Sequence, residues 1–127
     1  MRITGLDHLV ITVRDVDATC AFYHDVLGMQ VQTFGDGRLA LKFGQQKINI
    51  HKAGHEVDPK ADKPTSGSAD LCLLVEDSLD DVVAALHEHH FDYMGPVNRT
   101  GAQGAITSVY VRDPDRNLIE LSRYDQD

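Results

Sequence analysis

The segments DHLVITV, Asp7–Val13, and ADLCLLV, Ala69–Val75, share one alternating pattern and occur once in each half of the chain. Each is followed by a matching corner, Arg14-Asp15 or Glu76-Asp77, and then by an amphipathic segment typical of a helix. Self-similarity within a chain indicates a duplicated structural unit. We therefore expect a strand-then-helix unit to occur twice, with His8 and Asp70 at equivalent positions.

The first half predicts a strand, a helix and three further strands. Asp15 or Asp17 offers an N-cap for the helix DATCAFYHDVL, and Gly28 is typical of a residue that ends a helix. Turns rich in glycine separate the later segments, which contain the β-branched and apolar residues of strands. The predicted strands are Leu6–Val13, Met29–Phe34, Arg38–Phe43 and Lys47–His51.

The second half repeats this order after a connecting segment without periodicity. Ser78 caps the predicted helix, and Gly95-Pro96 is expected to break the chain before the next strand. The predicted strands are Asp70–Val75, Val97–Thr100, Thr107–Arg112 and Leu118–Arg123. The fold class is therefore α+β, with two tandem βαβββ modules forming a curved, barrel-like mixed sheet with helices outside. We expect a single domain over residues 1–127, with module 1 at about 5–53, a linker at 54–67 and module 2 at about 68–124.

Composition limits the classes of partner. The formal net charge of −8 argues against nucleic acid, whose binding depends on neutralising phosphates with Lys and Arg. No apolar run approaches the roughly 20 residues of a membrane span, and the N-terminus lacks a signal-type pattern. Cys20 and Cys72 form no CxxC pair and are expected to be small core or near-core residues. We expect a cytoplasmic protein whose partner is a small molecule.

Strand alternation predicts which polar side chains share one face of the sheet. If Leu9 and Ile11 face the helices, His8 faces the opposite side, and the same parity applies to His51, Asp70 and Glu120. These four side chains come from four different predicted strands. Imidazole and carboxylate groups suit a divalent cation such as Zn, Ni, Co, Mn or Fe. The sequence therefore predicts a metal site with these four ligands.

Several segments resemble the vicinal-oxygen-chelate superfamily, which includes glyoxalases, extradiol dioxygenases and bleomycin-binding proteins. They are DHLVITV, the segment FYHDVLGM at Phe22–Met29 and the closing DPDRNLIELS at Asp113–Ser122. The resemblance covers Leu6 to Tyr124. FGQQKINIHKAG and GPVNRTGAQG are similar to the branch of glyoxalase-domain-containing protein 5 and its virulence-associated bacterial relatives.

The resemblance implies roles for particular residues. The family's first-strand histidine corresponds to His8 and its last-strand glutamate to Glu120, while Asp70 stands where glyoxalases usually have a histidine. At the remaining ligand position, Asn49 lies near the expected place and His51 is two residues further on. Arg116 stands where the family's turn usually has glycine.

The expected function is that of a metal-dependent glyoxalase-like enzyme, an isomerase or lyase of the lactoylglutathione lyase type. The metal would chelate neighbouring oxygens of a small substrate, and Glu120, or alternatively Asp70, would act as the general base. Arg99, on a loop, is a candidate for binding an anionic substrate. The alternatives are a dioxygenase using His8, His51 and Glu120, or a non-enzymatic, drug-binding dimer of the bleomycin-resistance type. We expect a homodimer.

Overall fold

The computed structural model describes residues 1–125 and divides the chain into two compact units, Met1–Ser68 and a second that begins at Ala69. Unit 1 contains β1 His8–Val13, α1 Val16–Ala21, a π-helical segment Phe22–Val26, β2 Gln30–Phe34, β3 Arg38–Phe43 and β4 Gln46–Lys52. Unit 2 contains β5 Asp70–Leu74, α2 Leu79–Glu88, β6 Met94–Gly101, β7 Gly104–Arg112 and β8 Leu118–Tyr124. The predicted pair of βαβββ modules is confirmed.

Each unit has its own four-stranded mixed sheet. The strand order is β1-β4-β3-β2 in unit 1 and β5-β8-β7-β6 in unit 2, so the two orders are equivalent. The first strand of each module is parallel to the last, and the other neighbours are antiparallel. The repeat seen in the sequence is thus a repeat of topology.

Strand parity explains which side of each sheet is buried. In unit 1, Ile11 and Val13 on β1 are buried, as are Ile48 and Ile50 on β4. In unit 2 the buried apolar side chains include Val109, Val111, Ile119 and Leu121, with Val82 and Leu86 from α2. The alternate positions carry the polar side chains, as the sequence predicted.

The first helix differs from the prediction in its geometry. Asp15 is the N-cap, and its carboxylate accepts a hydrogen bond from the amide of Ala18 at 3.0 Å. The helix is α-helical only to Ala21 and continues as a π-helix. Phe22 and Tyr23 are both buried there, with their rings edge to face at 5.1 Å between centroids. Widening of the helix accompanies the burial of two adjacent aromatic rings.

Strand β6 begins earlier than expected. Gly95-Pro96 was expected to precede the strand, but pairing with β7 begins at Met94 and shifts register between Met94 and Val97. Gly95 has φ +109, and a Cβ there would lie 2.6 Å from the carbonyl oxygen of Ser108. The residues that looked like a strand break therefore form an irregularity inside the strand. Within residues 1–125, the structure contains no helix with the length and apolar character needed to cross a membrane.

Candidate functional site

The polar face of unit 1 is fixed by the parallel pairing of β1 with β4. His8 is paired with Lys47, Val10 with Asn49, and Thr12 with His51. Paired residues of neighbouring strands point to the same side of a sheet. His8 and His51 therefore share one face, as the sequence predicted.

His8 has a defined hydrogen-bond partner. Its Nδ1 lies 2.8 Å from Oδ1 of Asp7, and this hydrogen bond is the main reason why the pKa of Asp7 is lowered. Because an ionised Asp7 can only accept, Nδ1 of His8 carries a proton and donates the hydrogen bond to the carboxylate. In the neutral imidazole the lone pair of Nε2 is then available. A carboxylate on the far nitrogen is the usual way in which proteins orient a metal-binding histidine.

His51 is differently placed. The pair of Thr12 and His51 lies four residues along the strands from the pair of His8 and Lys47. That is a distance of about 13 Å at roughly 3.3 Å per residue. His51 is 6% exposed, and its Nε2 lies 3.4 Å from Nη2 of Arg38, which acts as the donor. Burial, and next the positive charge of Arg38, lower the pKa of His51, while Glu56 opposes the shift. His51 is therefore neutral at pH 7, with Nε2 facing a cation.

Asn49 on β4 is paired with Val10 on β1. This pair lies between the pair that contains His8 and the pair that contains His51. Asn49 is 4% exposed, and its Oδ1 has no hydrogen-bond partner within residues 1–125. A buried carbonyl oxygen without a donor costs free energy, because it has lost its hydration. A cation or a donor group of a ligand would satisfy this atom.

The corresponding face of unit 2 carries Asp70 and Glu120. Asp70 is paired with Leu118 on β8, and Cys72 is paired with Glu120. The two carboxylate residues are thus on adjacent strands and about 7 Å apart along the strand direction. Parity also places Cys72 on this face. Cys72 is exposed, so our expectation of a core or near-core residue was wrong for this cysteine, whereas Cys20 is half-buried.

Two serines hold the carboxylate of Glu120. The hydroxyl of Ser108 donates to Oε2 at 2.6 Å, and that of Ser122 lies 3.4 Å from the same oxygen. The two hydroxyls are also 2.6 Å apart, and the thiol of Cys72 donates to Ser122 at 3.2 Å. Both serines are fully buried. Sequence reasoning missed Ser108, although its strand parity on β7 was a usable signal.

The turn that follows β7 positions Asp70. Oδ1 of Asp113 accepts hydrogen bonds from the amides of Asp115 and Asn117, each at 2.9 Å. The side chain of Asn117 in turn accepts from the amide of Ala69 at 2.8 Å. The start of β5 is therefore tied to the turn. In the same turn Arg116 has φ +72, the conformation that explains the family's preference for glycine.

Unit 2 also has a groove of about 820 Å³, a volume typical of small-molecule sites. Arg99 lies in it, and its Nε donates to the hydroxyl of Tyr110 at 3.1 Å. The guanidinium carbon lies 5.5 Å from the centroid of the Tyr110 ring. Tyr110 is paired with Glu120 on β8, but the residues that line the groove do not include Glu120. The lining also includes Met94, Arg112, Arg116 and Leu118.

The predicted ligands are divided between the units, with His8 and His51 in unit 1 and Asp70 and Glu120 in unit 2. Within the described residues, no three His, Cys, Asp or Glu side chains form a group that could hold a metal ion. The structure thus shows imidazole groups on one face of unit 1 and carboxylate groups on one face of unit 2.

The profile of the Glyoxalase/Bleomycin resistance protein/Dioxygenase superfamily matches residues 5–121. The chain belongs to this superfamily. The match spans both βαβββ modules, including the strands that carry His8 and Glu120. It agrees with the resemblance of the first and last strands.

Two curated relatives extend over nearly the whole chain. The glyoxalase domain-containing protein RDO1 of Mycosarcoma maydis is 55% identical over 125 residues, which are 98% of this chain and 70% of the relative. Virulence protein STM3117 of Salmonella typhimurium is 50% identical, over 98% of this chain and 87% of the relative. The names of both relatives agree with the resemblance found in the sequence.

Solved structures confirm the fold. An integron cassette protein from the mobile metagenome of V. cholerae has a TM-score of 0.96 and 54% identity, with 98% of each chain covered. Lactoylglutathione lyase from Agrobacterium tumefaciens has a TM-score of 0.73 and 21% identity, with 95% of this chain and 94% of that chain covered. At that identity the likeness to the lyase shows the fold alone.

Proposed function

We propose that this superfamily member is a metal-dependent, glyoxalase-like isomerase or lyase acting on a small molecule. His8, Asp70 and Glu120 would hold a divalent cation, and His51 is a further candidate. The observation that carries the proposal is the hydrogen bond of His8 to Asp7, because it leaves Nε2 available for a metal. We also propose a cytoplasmic location, which agrees with the free thiols of both cysteines.

The donor groups fit a divalent cation of the first transition row. An imidazole and two carboxylates are ligands that Zn, Ni, Co, Mn and Fe accept. The unpartnered Oδ1 of Asn49 adds an acceptor on the same face as His8. It would fill a fourth ligand position more simply than His51, whose Nε2 receives a hydrogen bond from Arg38. The bound cation would supply Lewis-acid polarisation of a substrate oxygen.

Glu120 is the proposed general base. Hydrogen bonds from Ser108 and Ser122 fix Oε2, while no hydrogen bond within residues 1–125 reaches Oε1. Oε1 could take a proton from a substrate carbon beside a carbonyl and return it to the neighbouring carbon. Such a transfer conserves atoms and electrons, and its product is an isomer of the substrate.

The groove of unit 2 would hold the rest of the substrate. Arg99 is held by Tyr110 and by the carbonyl oxygen of Asn98, which accepts from Nη1 at 2.9 Å. A guanidinium held in this way has further N–H donors for an anionic group. We propose that Arg99 binds an anionic end of the substrate beside Glu120.

The test is an activity screen of the protein reconstituted with each of the five metals. Substrates should include hemithioacetals of 2-oxoaldehydes, epoxides and catechols, with isomerisation, lyase and ring-cleavage products measured separately. We expect isomer formation with at least one metal. Glu120→Gln should remove turnover, and Arg99→Gln should raise KM more than it lowers kcat.

Asp7→Asn provides a sharper control, because it changes only the partner of His8. It should weaken metal affinity by about ten- to a hundredfold if Asp7 orients the ligand. Absence of turnover with all five metals on every substrate class would contradict the enzyme proposal. Ring cleavage with iron would favour the dioxygenase alternative.

Sequestration of a small molecule is the second candidate. The groove of about 820 Å³, with Tyr110 and three arginines, could bind an aromatic anion without any chemistry. A protein that contains no metal but retains micromolar affinity for such a compound would favour this alternative.

A further inference from the structure

A group of cations lies on the polar face of unit 1. Lys47 is paired with Lys42, and Arg38 lies on the same face beside His51. All three cationic side chains are only partly exposed. In a chain with a net charge of −8, three cations on one face of one sheet are a local exception.

Two of these cations converge on one aromatic ring. Nζ of Lys47 lies 3.6 Å from the centroid of Phe34, and Cζ of Arg38 lies 4.8 Å from it. The two charges are therefore within about one Debye length, 10 Å, of each other and repel. Contact with an aromatic face offsets part of that repulsion, but it supplies no hydrogen-bond acceptor.

The hydrogen-bonding capacity of these two side chains is largely unused. Arg38 has five N–H donors, of which one is directed to His51, and Lys47 has three. Within residues 1–125, no carboxylate forms an ion pair with either of them. Two acidic residues act on this cluster through electrostatic interactions without forming an ion pair with Arg38 or Lys47. Asp7 interacts electrostatically with Lys47 and Lys42, and Glu56 with His51.

We propose that Arg38 and Lys47 form a binding site for a small oxyanion, a carboxylate or a phosphate, over the ring of Phe34. The guanidinium can donate two parallel hydrogen bonds to such a group, and the ammonium adds a charge-assisted one. An oxyanion would supply the acceptors that these donors lack and would relieve the repulsion between the two cations. Neither residue is among the proposed metal ligands, although Lys47 is paired with His8 and Arg38 contacts His51.

The test is a calorimetric titration of the full chain with inorganic phosphate and, separately, with succinate. Saturable binding of either probe supports the site, and the preferred probe identifies the oxyanion. Arg38→Gln and Lys47→Gln should each weaken the affinity at least tenfold. Arg38→Lys, which retains the charge but loses the planar fork, should lie between Arg38→Gln and the unchanged protein.

Lys52→Gln is the matched control, because Lys52 lies on the same strand with the opposite parity and is exposed. It removes the same charge from the other face and should leave the affinity unchanged. Equal losses in Lys47→Gln and Lys52→Gln would overturn the site, since they would show unspecific attraction. Thermal unfolding of each variant establishes that it is folded. If Arg38→Gln does not fold, the affinity of Lys47→Gln still tests the site.

Repeating the titration after EDTA treatment and dialysis separates this site from the proposed metal. Phosphate held by Arg38 and Lys47 should bind with the same affinity before and after the treatment. Binding that disappears with the metal would overturn the inference. No saturation by either probe at tens of millimolar would also overturn it.

Discussion

Cys72 shows how its neighbours control the reactivity of one exposed side chain. Partial withdrawal of the thiol from water raises its pKa, the charge of Glu120 raises it further, and the hydrogen bond to Ser122 opposes both. The thiolate is the reactive form, so alkylation at pH 7 should be slower than for a free cysteine and should accelerate as the pH rises. In a Cys20→Ser background, Glu120→Gln should lower the pKa of Cys72 and speed its alkylation by iodoacetamide. An unchanged rate would contradict the electrostatic coupling between Cys72 and Glu120, and the protein unfolded in guanidinium gives the reference rate.

At the scale of single elements, α2 ends in a motif with one strained residue. The amide of Phe91 donates to the carbonyl of Leu86 and that of His90 to the carbonyl of His87, which leaves His90 at φ +64. This conformation costs a residue with a Cβ about 1–2 kcal/mol, whereas glycine adopts it without that cost. His90→Gly should therefore raise the free energy of unfolding by about 1 kcal/mol in urea titrations. Glu88→Gly, in the last helical turn, should lower it by about 1 kcal/mol. Similar losses in both variants would contradict this account of the helix end.

The elements themselves were largely predictable, because apolar alternation and capping residues act locally. The β-strands, the cap at Asp15 and the end of the helical region just before Gly28 follow from such signals. The π-helical segment does not, since it depends on how Phe22 and Tyr23 pack. The continuation of β6 through Gly95 was also missed. It depends on the close approach of Gly95 to the backbone of Ser108, a tertiary contact that local sequence patterns do not encode.

The candidate site was also predictable only in the features that depend on local sequence. Parity predicted that His8 shares a face with His51 and that Asp70 shares one with Glu120, because strands alternate with a period of two, but the two pairs lie on two different sheets. Strand parity does not predict which side chains on a face form hydrogen bonds with one another. The separation of His51 from the row of His8, its contact with Arg38 and the two serines at Glu120 therefore required the structure.

For the whole molecule we predict a homodimer. Each unit has two sheet edges, and Val10, Leu74 and Met94 are exposed by 45%, 64% and 51%. Exposed apolar side chains beside unpaired strand edges favour association with a second copy. Light scattering at micromolar concentration should give twice the chain mass of 14.1 kDa, and Leu74→Glu should shift the mass toward one chain. A strictly monomeric unmodified protein would contradict this prediction.

The central claim, a cation held by His8, Asp70 and Glu120, is tested most directly by metal content. The protein should be purified without chelator, supplied with each of the five metals, dialysed and measured by elemental mass spectrometry. The account predicts about one first-row metal ion per chain, and its loss in His8→Ala and Glu120→Gln. Glu76→Gln, which removes a carboxylate just beyond β5, should keep the metal. Full metal occupancy in His8→Ala would contradict the claim.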